Sequence, residues 1–177
     1  MKEQSLQLCP DCLVREAVSS GRALLCSARG KEAPPNAMTI GWGFWGTVWN
    51  RSVFLACVRP SRYTFGNLNA WPFFSVNCFR DHSFQEWFRI CGTESFRDRD
   101  KVRELAIPVT RSEKESIPYI ETADVALLCS IFSTQPLDPR VVPEEVEAHF
   151  YKGKDYHHFF LGEVKRVIIK SSTRPGG

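Results

Sequence analysis

A mainly β fold, a β-barrel with short helical additions, is predicted by three observations on the sequence. About six apolar runs rich in β-branched and aromatic residues are separated by Gly- and Pro-rich turns. The regular strand–helix–strand alternation of a parallel, doubly wound sheet is missing. No Gly-x-Gly-x-x-Gly joins a strand to a helix, which argues against a Rossmann nucleotide site. At 177 residues the chain is long enough for one well-cored domain and short for two.

Residues 1–21 read as an N-terminal extension. They carry Cys9-Pro-Asp-Cys12, a spacing open to zinc, an iron–sulfur cluster, a redox dithiol or an incidental role, with no second ligand pair to complete four. The segment from Arg22 to Ser27 is a strand that runs into the turn-rich ARGKEAPPN. Extended structure resumes from Met38 to Trp42, and Gly41, Gly43 and Gly46 mark bulges or close backbone approach in an aromatic stretch. Val53 to Val58 is a strand closed by Pro60, which has no ladder donor. Ser61 to Leu68 opens a short helix, with Ser61 or Thr64 as its cap. Phe73 to Phe79 is a further strand. Between Asp81 and Cys91, the residues Phe84, Trp87, Phe88 and Cys91 recur at helical spacing and read as a core-facing stripe. In SFRDRDKVREL, Asp98 caps a short helix carrying Lys101. Thr122 to Phe132 forms a long strand, QPLDPRVVP a turn and EEVEAHFY a helix; Lys154 to Ile169 supplies the last strand. Residues 171–177 read as a disordered tail.

Composition narrows the function classes. The net charge is only +3, with basic residues scattered, so no nucleic acid is expected as a partner. No apolar run approaches the roughly 20 residues of a membrane helix, and the charged start has no signal-like apolar region. A cytoplasmic protein without membrane association is expected. The seven cysteines lie largely in strand-like runs as small hydrophobes, and no disulfide framework is expected.

Two constellations suit a ligand. The turn Arg59-Pro-Ser-Arg-Tyr-Thr64 brings guanidinium forks, hydroxyls and helix-start N–H groups within a few residues, as a phosphate monoester requires. The indoles of Trp42, Trp45 and Trp49 could wall a flat heteroaromatic ring or simply pack. His149, His157 and His158 do not form a metal set, because adjacent strand residues face opposite ways. No Gly-x-Ser-x-Gly elbow or other nucleophilic set is present.

The motifs NAMTIGWG, VWN, VRPSRYT, SFRDRDK, LDP and KDYHHFFLGEV follow one another in an order and spacing that resembles the flavin reductase-like, FMN-binding split-barrel family, especially its flavoredoxin-type branch, over residues 22–170. The resemblance implies a Greek-key split β-barrel, a homodimer, and noncovalent FMN near the subunit interface. It places Asn36, Met38, Thr39 and Trp42 beside the flavin ring. Arg59, Ser61, Arg62, Tyr63 and Thr64 take the phosphate and ribityl chain, with Lys101 and His157 also matching the family pattern. Phe96 departs from it, standing where the family has Gly in a Ser-Gly-Arg-Asp motif.

The expected function is therefore a flavin reductase that passes electrons from NAD(P)H through FMN to free flavin or a redox partner. Two further readings stay open: a flavoredoxin-like carrier that does not oxidise NAD(P)H, and a non-redox module for another phosphate ligand.

Overall fold

In the computed structural model, residues 9–80 and 82–170 are described. Residues 1–8, Asp81 at the head of the aromatic stripe, and the tail read as disordered (171–177) lie outside them. Helix α1 (Pro10–Ser19) starts with proline at its first position and buries Leu13, Val14, Ala17 and Val18, a helical stripe. The stretch read as an extension thus supplies part of the core.

Strands β1 (Ala23–Ser27) and β2 (Asn36–Ile40) pair antiparallel, with Leu25 opposite Met38. Strands β3 (Gly43–Val48) and β4 (Arg51–Val58) form a tight hairpin. Its two turn residues, Trp49 and Asn50, both have positive φ (50° and 58°), as a primed hairpin turn demands. The sequence reading missed β3, because a non-glycine pair hides that turn.

Next come helix α2 (Tyr63–Ala70), strand β5 (Phe73–Cys78), and helices α3 (Gln85–Thr93) and α4 (Lys101–Glu104). Strands β6 (Val109–Arg111) and β7 (Pro118–Ile120) form a small separate sheet, too short to register as runs in the sequence. Strand β8 (Val125–Pro136) takes in Gln135 and Pro136, which had read as turn. After a 3-10 turn (Pro139–Val141), α5 (Glu144–Val146) is a single turn that continues as a π-helix, Glu147–Tyr151. Strand β9 (His158–Ile169) ends the fold.

Two predicted caps are corrected. Arg62 holds the N-cap position of α2 with no side-chain cap bond; the Ser61 hydroxyl donates to Asp155, and Thr64 Oγ1 accepts from Asn36. Asp100, not Asp98, caps α4, accepting from the Arg103 N–H. At α2 tertiary partners take both hydroxyls, whereas at α4 the carboxylate next to the helix start takes the cap.

The main sheet is antiparallel, in the order β2-β1-β5-β8-β9-β4-β3. Its two edge strands are joined through Gly41 and Trp42 alone. Three Cα steps reach at most about 11 Å, whereas the edges of a flat seven-stranded sheet lie about 29 Å apart. The sheet therefore curls until its edges nearly meet, yet β2 and β3 do not pair: it is a split barrel. Alternation explains why all five residues of β1 are buried. Ala23 and Leu25 face one cluster with α1, Ile40, Phe54, Phe74 and Phe160. Leu24 and Cys26 face another, with Phe79, Phe88, Ile107 and Ile117 from the covering segments. No helix among the described residues is long and apolar enough to cross a membrane.

Candidate functional site

Strand β2 and the Gly41–Trp42 link, with the end of β4, border a cavity of about 220 Å³ lined by Met38, Thr39, Ile40, Gly41, Trp42, Cys57, Arg59, Arg62 and His157. Beside it, a cavity of about 120 Å³ is walled by Asn36, Met38, Ser61, Arg62, Tyr63, Thr64, Lys101 and the segment from Cys91 to Phe96. Met38 and Arg62 belong to both walls. All eleven residues singled out from the sequence border one or other of these two cavities.

In the larger cavity, the Trp42 ring lies 4.4 Å from the His157 ring and 5.1 Å from that of Phe150, the latter edge-on. His157 Nδ1 and the Tyr151 hydroxyl are 2.9 Å apart, which leaves Nε2 as the free ring nitrogen. Burial, with the Arg59 charge acting the same way, pushes the His157 pKa down to about 4. The imidazole is neutral at physiological pH. Arg59 is held by the Phe150 carbonyl at 2.8 Å and lies 5.2 Å from the Tyr151 ring. Thr39 donates its hydroxyl to the Phe88 carbonyl at 2.6 Å, tying the edge strand to α3.

The smaller cavity holds two groups with incomplete bonding. Asn36 is 1% exposed, and its Nδ2 donates to Thr64 at 2.9 Å, yet its Oδ1 is buried without a partner. Lys101 is 2% exposed; its ammonium donates to the Glu94 carbonyl at 2.8 Å and makes no ion pair among the described residues. Burial lowers its pKa, and Arg62 pushes the same way. A buried cation and an unsatisfied buried acceptor are each costly. An anionic ligand that also carries a donor would satisfy both.

Ser61 is already engaged: its N–H and hydroxyl both donate to Asp155, at 3.0 and 2.6 Å. Arg62 donates to the Gly92 carbonyl at 3.2 Å. The Tyr63 ring lies 5.0 Å from that of Phe96, with the guanidinium of Arg29 over it. Phe96 does not have the positive φ that would require glycine, so its departure from the expected motif changes a cavity wall rather than the backbone.

Cys57 and Cys91 line the cavities, but burial pushes both thiols up to about 11, making them neutral walls. Neither was foreseen, and nor were Tyr151 and Asp155. The first two look like ordinary strand and helix residues, Asp155 acts through Ser61 far away in sequence, and Tyr151 through His157 across the loop before β9. Trp45 bonds Ser52 through its indole N–H, and Trp49 sits 73% exposed on the hairpin turn. Of the three indoles only Trp42 lines either of these two cavities. Among the described residues, no group of three or more His, Cys, Asp or Glu could hold a metal ion.

The family model described as a flavin reductase like domain matches residues 16–176. Among solved structures, the chain is similar to the flavoredoxin of Methanosarcina acetivorans, with 22% identity, a TM-score of 0.65, and 84% of this chain and 67% of that one covered. It is similar to an FMN-binding protein from Thermus thermophilus, at 20% identity and a TM-score of 0.65 over 86% and 74%. It is also similar to a Streptomyces globisporus NADH:FAD oxidoreductase, at 21% identity and a TM-score of 0.60 over 84% and 74%. Among curated proteins none matches.

Proposed function

Because the chain belongs to the flavin reductase-like family, we propose that it binds FMN noncovalently across the two joined cavities and passes electrons from NAD(P)H to free flavin or a redox partner. The observation that carries this reading is the shared wall. A cavity sided by the Trp42 and His157 rings opens beside one containing a buried ammonium and an orphaned acceptor, with Arg62 at their junction. A flat ring joined to a phosphate by a polar chain has that division of character.

The residues divide accordingly. Trp42 and His157 form a water-excluding wall for the ring, and the Tyr151 hydrogen bond fixes the imidazole's orientation. Asn36 Oδ1 accepts a hydroxyl of the polar chain. Arg62, Lys101, the Thr64 hydroxyl and the N–H groups opening α2 receive the phosphate, with Tyr63 at the cavity wall. Thr39 holds β2 against α3, so that main-chain donors of the 39–41 segment meet the ring edge. Bound flavin supplies hydride acceptance and one- or two-electron donation; the protein supplies position and electrostatics.

Mixing FMN with the purified apo-protein should perturb the flavin absorption bands and raise the melting temperature. At a hundredfold excess over Kd, the stabilisation is about 2.7 kcal/mol. Anaerobic NADH or NADPH should then bleach the bound flavin. Absence of binding overturns the whole reading; binding without bleaching overturns the NAD(P)H step.

A further inference from the structure

Cys9 and Cys12 stand apart from the chain's other cysteines. All seven are free, but these two are exposed while the remainder are buried or half-buried. Cys9 is the N-cap residue of the ten-residue helix α1, Pro10 follows it, and no side chain caps the helix. The Cys9 carbonyl accepts from the Cys12 N–H at 3.0 Å. Such a turn keeps the two Cα atoms less than about 7 Å apart, overlapping the roughly 4.4–6.8 Å that a disulfide spans.

Cys12 also lines a cavity of about 350 Å³ between α1 and β3, together with Asp11, Val14, Arg15, Phe44 and Trp45. That volume suits a small molecule. Most of its wall is apolar, and the Arg15 guanidinium, one helical turn from Cys12, offers a counter-charge.

We propose that Cys9 and Cys12 form a reversible dithiol–disulfide site whose exchange partner is a low-molecular-weight dithiol admitted to the cavity between α1 and β3. In the reducing direction, one thiol of the small molecule loses its proton and attacks the sulfur of Cys12. The Cys9–Cys12 bond breaks, and its electron pair leaves on the Cys9 sulfur at the helix N-terminus, where it is protonated. The second thiol of the small molecule loses its proton and attacks the mixed disulfide, releasing Cys12, which is protonated in turn. The chain's disulfide is reduced to two thiols while the small molecule is oxidised to a cyclic disulfide, and protons balance. Nothing in this exchange depends on bound flavin.

The test uses the full chain equilibrated across ratios of reduced to oxidised dithiothreitol, quenched in acid, denatured, alkylated and weighed. The alkylated thiols should fall from the full seven at the reducing end by two together, with the lost pair mapping to the peptide that holds Cys9 and Cys12. Cys9→Ser and Cys12→Ser, at exposed positions, should each abolish the transition. Filling the cavity mouth with Ser19→Trp should slow reduction by about tenfold, since exchange rates follow access. Seven alkylated thiols at every ratio, or a disulfide found only between chains on a non-reducing gel, would overturn the site. An unchanged rate in Ser19→Trp would overturn the role of the cavity.

Discussion

Lys101 is a buried ammonium bonded to one carbonyl, an arrangement that costs the fold more than an apolar side chain would. Replacing it with Met should therefore leave the apo-protein at least as stable in urea titration while weakening FMN binding. A lost hydrogen bond to a charged group is worth about 1.5–3 kcal/mol, so Kd measured by fluorescence quenching should rise roughly 10- to 100-fold. Arg62→Ala should weaken binding in the same direction, and unchanged affinity in both variants would displace the phosphate from this cavity. His157 gives a second handle. Its folded pKa of about 4 lies below the ordinary histidine value of 6.5, so the unfolded chain takes up a proton first as pH falls. Its contribution is present above pH 6.5 and is lost between there and about 4. His157→Gln should flatten that part of the melting temperature against pH. The polar members of this site were legible because Arg, Ser, Thr and Asn crowd two short motifs. Tyr151 and Asp155 were not, since their significance lies in whom they touch.

At the level of elements, Asp155 links the approach to β9 with the turn before α2 through its two bonds from Ser61. Asp155→Asn keeps a residue tolerant of its positive φ of 56° but removes the charge. It should cost about 1–2 kcal/mol in urea titration at neutral pH. Gly162 in β9 tests the packing of the sheet. A Cβ there would come within 2.6 Å of the Phe74 ring and 2.8 Å of the Cys129 Cβ. Gly162→Ala should destabilise by about 1–3 kcal/mol through overpacking, and a neutral result would mean that Phe74 has room to move. Strands β5 and β8 were readable from their β-branched and aromatic residues, and β1 from its short apolar run before a turn-rich loop. The β6–β7 pair and β3 were not: the first is three residues a strand, and the second turns on Trp49–Asn50 rather than on Asn-Gly. Helix α1 was obscured by the Cys-x-x-Cys motif, although its buried positions 13, 14, 17 and 18 have helical spacing.

For the whole molecule, Phe44 (58% exposed) and Trp49 on the β3–β4 hairpin, with the touching pair Trp42 and Phe150, leave apolar surface exposed. We propose that a second copy of the chain covers it. Light scattering should then give twice the 20.2 kDa chain mass, and Phe44→Glu with Trp49→Glu should return it to one. The split itself has a consequence for how the ring would be read. Edge strands expose every second N–H and C=O to whatever lies beside them, and β2, paired only with β1, turns such a row toward the gap. A flavin edge resting there would be recognised by main chain, which no side-chain substitution removes. Amide deuterium uptake is the direct readout. Those amides of residues 38–41 that do not bond β1 should exchange quickly in the apo-protein and slow when FMN is added, even in variants whose phosphate contacts have been weakened.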